Sequence, residues 1–267
     1  MTTTIAFVLA GWAAAATLMA VLWVVQRARG NAGIVDVAWS FATAALGVAF
    51  ALAATGEPRR RAVIATIIGL WGLRLGLHLW ARVAREPEDG RYRQLRETWG
   101  GAAGRNLFVF YQVQALWAVL FALPMLAAAG SSAPLGVADA VGVGLWLVAV
   151  IGETIADRQL ARFKADPARR GGVCRDGLWR YSRHPNYFFE WIHWWAYCAL
   201  GVRAPLWWVP PLGVAAMGWF IVRVTGIPPT EAQALRSRGD AYRRYQRTTS
   251  AFVPWPPRPD PAGGGRS

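Results

Sequence analysis

Seven runs of mostly apolar residues dominate the sequence, and each is close to the length of one membrane crossing. An α-helix needs about 20 residues to cross roughly 30 Å of hydrocarbon, and it satisfies its backbone hydrogen bonds internally. The pattern therefore predicts an all-α integral membrane protein with seven transmembrane helices. The first run lacks a basic segment in front of it, so we expect a retained span rather than a cleaved signal peptide. The runs cover residues 4–25, 33–54, 62–82, 107–129, 136–158, 186–202 and 205–226.

The composition agrees with a membrane protein and argues against a nucleic-acid-binding role. Hydrophobic residues make up 55% of the chain and charged residues only 16%, whereas a soluble domain has about 25% charged residues. The 16 Trp suit a chain with many membrane interfaces. The net charge of +14 comes from basic residues that lie between the apolar runs, as in membrane loops. We therefore expect membrane lipids, and no nucleic acid, as partners.

The basic residues alternate between the two ends of the apolar runs. The N-terminus and the loop 130–135 contain no Lys or Arg. Because positively charged loops face the cytoplasm, this distribution predicts the N-terminus outside and the C-terminus in the cytoplasm, in a bacterial inner membrane. The basic segments are the loop near Arg27 and Arg29, the loop from Arg85 to Arg105, the segment from Arg162 to Arg183 and the C-terminal tail, and the pattern is broken by Arg59, Arg60 and Arg61.

The sequence PPTEAQALRSRGDAYRRYQ, which follows the last apolar run, predicts a short basic amphipathic helix. Pro228 and Pro229 suit its first turn, and Thr230 suits its N-cap. The final PWPPRPDPAGGGRS is rich in Pro and Gly, so we expect it to be disordered. The predicted organisation is one seven-helix membrane domain over residues 1–250 and a disordered tail over residues 251–267.

Ionisable and amide side chains recur at helical spacing inside four of the predicted spans. Such groups are costly in a bilayer, and residues three, four or seven apart lie on one face of a helix. The four faces together predict a polar cavity between the helices, open to the cytoplasm. The groups are Asp36 in the second span, Arg74, His78, Arg82 and Arg85 in the third, Glu153, Asp157 and Lys164 in the fifth, and Asn186, Glu190 and His193 in the sixth.

The short motifs exclude several classes of site. There is no Gly-rich dinucleotide fingerprint, P-loop, zinc-protease helix or nucleophile elbow. Cys174, Cys198 and three His match no metal-ligand spacing, so no metal is expected. A cationic rim around a polar cavity instead suits an anionic soluble cofactor that meets a lipophilic substrate from the bilayer. The expected rim at the cytoplasmic edge comprises Arg162, Arg180, Tyr181 and His184.

Several motifs resemble the bacterial branch of the steroid 5-alpha-reductase family. The central one is GLWRYSRHPNYFFEWIHWW at 177–195, with ETIADRQLARFKAD upstream and DAYRRYQRTTSAFVPW downstream. NAGIVDVAW, LWGLRLGLHLWAR and EDGRY are similar to segments of that branch as well, so the resemblance extends from Asn31 to Trp255. It implies a seven-helix membrane enzyme that uses NADPH to reduce the carbon–carbon double bond of 3-oxo-4-ene steroids or similar lipophilic enones.

The resemblance also implies roles for individual residues. Asn186 and Glu190 would hold the nicotinamide amide, and Asp157 and Lys164 the adenosine and phosphate part. Asp36 would polarise the substrate ketone. Further contacts to the cofactor would come from Arg74, Arg82, Arg85, Tyr92 and Tyr242. The chain departs from the family at Phe189, where Gly is usual, and at Trp71, which replaces the ketone-binding Tyr. Candidate replacements for that Tyr are Tyr92, Tyr111 and Tyr187.

These roles define an expected mechanism. Hydride transfer leaves negative charge on the ketone oxygen, and a hydrogen-bond donor must stabilise it. Asp36 is expected to be this donor if burial keeps its carboxyl protonated, and Glu190 is expected to accept from the carboxamide. Asp36 and Glu190 are therefore the predicted catalytic residues.

Two alternatives remain open from the sequence. The pattern Arg-His-Pro-x-Tyr at 183–187 resembles that of membrane methyltransferases of the isoprenylcysteine carboxyl and phospholipid type. The pattern continues with Glu231, Gly239, Tyr242 and Tyr245, and the resemblance implies that its arginines and His would hold S-adenosylmethionine. A non-catalytic sterol or lipid binder is the third possibility, and it predicts no nucleotide binding.

Overall fold

The computed structural model describes residues 2–260, which form nine α-helices and no β-strand. Short 3₁₀ turns occupy Gly100–Ala102, Pro167–Arg169 and Gly177–Arg180, and Phe220–Val224 form a π-helical stretch. Residues 261–267, the end of the expected disordered tail, lie outside the described residues. The helices are α1 (Thr2–Arg29), α2 (Ile34–Ala53), α3 (Pro58–Arg85), α4 (Gly90–Trp99), α5 (Ala103–Ala128), α6 (Val137–Ala165), α7 (Pro185–Leu200), α8 (Val209–Trp219) and α9 (Ile227–Thr248).

Six helical stretches of the described chain are long and apolar enough to cross a membrane. They contain α1, α2, α3, α5, α6 and α8, which correspond to six of the seven predicted spans. The other predicted span is α7, which has 16 residues and a length of about 24 Å. Over residues 2–260 the protein is therefore all-helical, with six candidate membrane-spanning helices, and α7 is shorter than the hydrocarbon core is thick.

The chain forms two compact units. Unit 1 comprises Met1–Val141 and Tyr197–Gly213, and unit 2 comprises Gly142–Ala196 and Val214–Ser267. In unit 1, α2 and α3 pack closely because small residues face each other. A Cβ atom at Gly72 would lie only 2.1 Å from the Cβ of Ala44, so only glycine permits this approach.

Arg60 fastens the start of α3 to the loop before α6, within unit 1. Its side chain is 2% exposed and forms a two-point ion pair with Asp139, with Nε 2.7 Å from Oδ1 and Nη2 2.9 Å from Oδ2. The guanidinium also donates to the carbonyl oxygens of Ser131 (3.0 Å), Ala133 (2.7 Å) and Pro134 (3.2 Å). One of the three arginines that break the charge alternation is therefore a buried structural residue.

Arg61, the next residue, satisfies the end of α2. Its guanidinium donates to the carbonyl oxygens of Ala51 (3.3 Å) and Leu52. These carbonyls belong to the last turn of α2, where no intrahelical donor is left for them. Two of the three exceptional arginines thus serve hydrogen bonds within unit 1, whereas Arg59 is exposed.

In unit 2, α9 has one buried face and one charged face. Ala234, Tyr242 and Tyr245 are buried, and arginines occupy the exposed positions between and after them. A sharp bend occurs at Gly239, whose φ of 50° is a left-handed value that favours glycine. Residues 250–258, most of which the sequence assigns to the disordered tail, fold back along this unit and form hydrogen bonds.

Candidate functional site

Unit 1 contains a cluster of opposite charges around Asp36, which lies in the first turn of α2. The hydroxyl of Tyr92 donates to Asp36 Oδ1 over 2.6 Å, and Arg91 Nη2 donates to Oδ2 over 3.2 Å. Arg82 Nη2 lies 3.8 Å from that same Oδ2 and 3.8 Å from Oδ2 of Asp89. We call these five residues the Asp36 cluster. It joins three of the predicted site residues, namely Asp36, Arg82 and Tyr92.

The motif EDGRY at 88–92 builds this cluster residue by residue. The side chain of Asp89 caps α4 by accepting from the backbone N–H of Arg91 (2.9 Å), and Gly90 then begins the helix. Although partial burial acts to raise the pKa of Asp89, Arg91 and Arg82 hold it below its ordinary value. The cap fixes the direction of α4, so that Arg91 and Tyr92 both reach Asp36.

The first residue of the motif, Glu88, connects α4 to the turn between α1 and α2. Its carboxylate accepts from the backbone N–H of Ala32 (2.8 Å) and from Nε of Arg96 (3.1 Å). Arg96 Nη2 then donates to Oε1 of the buried Gln26 over 2.7 Å. Glu88, Arg91 and Arg96 are not among the site residues predicted from the sequence. The signal that could have found them is the spacing of two acids, an arginine and a tyrosine around one glycine.

Unit 2 contains a second polar cluster, centred on Glu231 in the first turns of α9. Arg183 Nε donates to Glu231 Oε1 over 2.6 Å, and His184 Nε2 lies 3.3 Å from the same oxygen. The hydroxyl of Tyr242 donates to Oε1 over 3.4 Å, and Gln246 Nε2 donates to Oε2 over 2.7 Å. These five residues are the Glu231 cluster, and it joins two predicted cofactor residues, His184 and Tyr242.

Burial determines the charge state of His184 in this cluster. The residue is 3% exposed, and its ring stacks on Tyr187 with the ring centres 5.3 Å apart. Burial lowers the pKa of His184 below its ordinary 6.5 and outweighs the hydrogen bond to Glu231, which acts in the opposite direction. The neutral imidazole is therefore the form that this site favours.

We expect the folded protein to lose stability as the pH falls below about 6.5. The unfolded chain then protonates His184 more readily than the native chain does. The contribution of neutral His184 to the free energy of unfolding is therefore fully present above the pKa that this residue has in the unfolded chain. It is lost as the pH falls from there through the lower pKa that His184 has in the folded protein. Thermal unfolding of the detergent-solubilised protein between pH 8 and pH 5 measures this. His184→Gln should flatten the pH dependence, and His78→Gln, at an exposed position, should leave it unchanged. Equal slopes for the wild type and His184→Gln would contradict the assignment.

The predicted pair on α7 lies near the start of that helix. Glu190 Oε1 accepts a hydrogen bond from Nε1 of Trp194, one turn further along, over 3.1 Å. Asn186 is four residues before Glu190 and shares its face, and both side chains are partly exposed. The indole therefore orients the Glu190 carboxylate relative to the helix.

The 3₁₀ turn that precedes α7 is anchored on α6. Trp179 Nε1 donates to the carbonyl oxygen of Ala156 (2.9 Å), and the backbone N–H of Leu178 donates to Gln159 Oε1 (2.9 Å). Gly177 has a φ of 55°, and a Cβ there would lie 2.1 Å from Gln159 Nε2, so this turn requires glycine. The anchoring places the turn beside the part of α6 that carries Asp157.

The remaining predicted residues differ in exposure. Arg74 and Asp157 are partly buried, whereas the predicted rim residues other than the buried His184 lie at the surface, together with Arg85 and Lys164. The polar residues that were predicted to share one face of α3 are not all buried, because His78 is exposed. The exposed members are Arg85, Arg162, Lys164, Arg180 and Tyr181.

Residues 22–249 match the model of a protein family described as "Protein of unknown function (DUF1295)". The chain belongs to the DUF1295 family. It is also 27% identical to an uncharacterized protein of Schizosaccharomyces pombe, in an alignment that covers 88% of this chain and 76% of the yeast protein. No solved structure matches the chain.

The match corrects the expectation drawn from the sequence motifs. The chain was expected to belong to the steroid 5-alpha-reductase family, and that expectation is wrong, because the matching family is a distinct one. The central motif, the motifs of α2 and α3, and EDGRY all lie inside the matched range, so they are motifs of a DUF1295 chain. Both the Asp36 cluster and the Glu231 cluster lie within it as well.

Proposed function

We propose that this DUF1295 protein is a membrane oxidoreductase that uses NADPH to reduce the carbon–carbon double bond of a lipophilic enone. The observation that supports it most is the Asn186 and Glu190 pair on α7, whose carboxylate is oriented by Trp194. A primary carboxamide, such as that of nicotinamide, has one N–H₂ donor group and one carbonyl acceptor. Glu190 can accept from the first, and the Asn186 amide can donate to the second.

The charges of unit 2 favour a phosphorylated cofactor over S-adenosylmethionine. Arg162, Lys164 and Arg180 are exposed cations near the ends of α6 and of the turn docked on it. NADPH carries three phosphate groups, and S-adenosylmethionine carries none. Guanidinium and ammonium groups pair well with phosphate oxygens.

The residues of the methyltransferase pattern have partners within the protein. Arg183 and His184 both contact Glu231 Oε1, and Tyr242 donates to the same oxygen. Through these contacts, the residues of the methyltransferase pattern connect the segment before α7 to helix α9. The contacts therefore weaken the support for a methyltransferase.

The chemistry also requires a hydrogen-bond donor at the ketone oxygen, where negative charge develops as NADPH supplies hydride. In unit 1, both carboxylate oxygens of Asp36 accept hydrogen bonds, so Asp36 acts there as an acceptor. Donor groups are present in the same cluster on Tyr92, Arg82 and Arg91. Within unit 1, these phenol and guanidinium groups are the hydrogen-bond donors of the Asp36 cluster, and the Asp36 carboxylate holds them in place.

Nucleotide binding to the purified protein tests this function. We expect tryptophan fluorescence to saturate with NADPH and not with S-adenosylmethionine. Glu190→Gln should weaken NADPH binding about 10- to 100-fold, because a hydrogen bond to a charged acceptor contributes about 1.5–3 kcal/mol. Glu97→Gln, an exposed carboxylate on α4, is the matched control and should bind normally.

Three results of that titration would distinguish the candidate functions. Saturation by NADPH, with NADPH consumed only when a 3-oxo-4-ene steroid or another lipophilic enone is added, supports the reductase. Saturation by S-adenosylmethionine alone would establish the methyltransferase instead. Binding of neither nucleotide would leave a non-catalytic lipid binder and reject both enzymes.

The proposed orientation has the N-terminus outside, seven crossings including the short α7, and the active site open to the cytoplasm of a bacterial cell. The internal contacts of Arg60 and Arg61 support this orientation, because they give a structural reason for two of the three arginines that break the charge alternation. In a variant with both native cysteines replaced by Ala, single cysteines introduced at the exposed Ser132 and Ser237 should then react with an impermeant reagent from opposite sides of the membrane. Labelling from the same side would contradict this orientation.

A further inference from the structure

Residues 250–258, which we call the C-terminal strap, are held along the surface of unit 2. The hydroxyl of Ser182 donates to the carbonyl oxygen of Phe252 over 2.7 Å. The backbone N–H of Trp255 donates to the carbonyl oxygen of Tyr181 over 2.9 Å. The strap is therefore fixed to the segment that leads into α7.

Aromatic contacts place the strap at the level where α7 begins. The ring of Phe252 packs against Phe188 and Trp191 in the first two turns of α7, with ring centres 5.9 and 5.6 Å apart. Beside this contact, Val253 is 51% exposed and Trp255 is 64% exposed. Exposed tryptophan and aliphatic side chains near the end of a membrane helix are typical of the interface between lipid and water.

A cavity of about 430 Å³ lies between the strap and the end of α9. Three arginines line it, namely Arg183 from the segment before α7, Arg247 from α9 and Arg258 from the strap. Thr249 and Ser250 line it as well. The backbone N–H of Arg258 donates to the carbonyl oxygen of Thr248 over 2.8 Å, so the strap closes one side of the cavity.

The charge of this arginine pocket is positive. Arg183 is paired with Glu231 at 2.6 Å, and Arg247 Nε lies 3.4 Å from Asp260. Within residues 2–260, the side chain of Arg258 forms no ion pair. Two carboxylates therefore face three guanidinium groups, and one of those carboxylates also contacts Arg244 at 3.5 Å.

We propose that the arginine pocket binds the phosphate group of an anionic membrane lipid. Planar guanidinium groups recognise phosphate oxygens through paired hydrogen bonds. The neighbouring Trp255 and Val253 supply the apolar contact that a lipid offers and a soluble phosphate does not. Neither Asn186 nor Glu190 lines the pocket, so lipid binding there does not depend on whether the protein binds a nucleotide.

Thermal unfolding of the full-length protein in a neutral detergent, without nucleotide, tests the proposal. We expect phosphatidylglycerol to raise the unfolding midpoint and phosphatidylcholine to leave it unchanged. Arg247→Ala combined with Arg258→Ala should weaken the apparent affinity for phosphatidylglycerol about 30-fold. Arg236→Ala combined with Arg243→Ala removes the same two charges from exposed positions of α9 outside the pocket, and should keep the wild-type affinity within about twofold.

Each other outcome has a defined meaning. Equal stabilisation by phosphatidylcholine, or an unchanged response in the double variant, would show that the pocket does not bind an anionic lipid. A shift produced by inorganic phosphate alone, at matched ionic strength, would assign the pocket to a soluble phosphate and overturn the lipid proposal. If the double variant does not fold, Arg258→Gln alone decides, because the Arg258 backbone contact does not depend on its side chain.

Discussion

Arg60→Ala is expected to destabilise the protein by about 3–5 kcal/mol and to lower its unfolding midpoint by about 10 °C. The substitution removes the cation that faces the buried carboxylate of Asp139, and it removes the donors of three carbonyl groups in the loop before α6. A buried charge without its partner costs more than the pair itself contributes. Thermal denaturation in detergent, followed by the monomer peak in size-exclusion chromatography, measures the loss.

The neighbouring arginine provides a matched control for this prediction. Arg59 has the same charge and the same helix turn, but its side chain is exposed. Arg59→Ala should shift the midpoint by less than about 2 °C. Arg60→Lys should fall between the two, because an ammonium group keeps the charge but cannot form the two-point contact with Asp139. Equal midpoints for Arg60→Ala and Arg59→Ala would show that the buried contacts do not stabilise the fold.

Glu231→Ala is expected to have an effect of similar size, and the effect should be concentrated in unit 2. The carboxylate receives four donors, and its loss leaves Arg183, whose side chain is only 10% exposed, without an anion. We expect destabilisation of about 3–5 kcal/mol. Proteolysis should detect a loosened C-terminal strap, because Arg183 also connects to the strap through its backbone N–H and Ser250 (2.8 Å).

Asp240→Ala is the control for that variant. Asp240 lies on the same helix and forms an ion pair with Arg243 at 2.7 Å, but its side chain is 91% exposed. Exposed ion pairs contribute little, so the midpoint should change by less than about 2 °C. If Glu231→Ala unfolds at the wild-type temperature and resists proteolysis equally, the Glu231 cluster does not hold α9 in place.

Helix existence was largely predictable in this protein because it depends on local hydropathy. The runs that became α1, α2, α3, α5 and α6 exceed twenty apolar residues or come close to it, and each forms a helix over nearly the predicted range. Helix α4 was missed because its ten residues are polar and carry no span signal. Its N-cap, Asp89, was visible in EDGRY, but an Asp before Gly is as typical of a turn as of a helix start.

The contacts of the candidate site were not predictable to the same degree. Asp36, Arg82 and Tyr92 were each selected from the sequence, yet nothing in the spacing indicated that Tyr92 donates to Asp36, 56 residues away. The role expected for Asp36, a protonated donor, assumed a dry and unpaired carboxyl. Two neighbouring arginines and a phenol instead make it an acceptor.

The contacts of residues 183–187 were likewise not predictable from the sequence. The pattern Arg-His-Pro-x-Tyr indicated a cofactor site in both enzyme interpretations, because arginine and histidine at a membrane edge suit an anion or a nucleotide. In unit 2, Arg183 and His184 both contact Glu231, nearly fifty residues later, and the pattern connects α9 to the segment before α7. A short motif can therefore reflect a contact within the folded protein as readily as a contact with a ligand.

Local properties of the chain were sufficient to establish the membrane class, the helical composition and the positions of the polar groups along each helix, because hydropathy and the 3.6-residue period act over a few turns. The pairing of these groups depended on the folded arrangement. Arg60 meets Asp139 across 79 residues, and Arg183 meets Glu231 across 48. A buried charge must find an opposite charge wherever the helices bring one, and that choice is made by packing over the whole unit rather than by neighbours in the sequence.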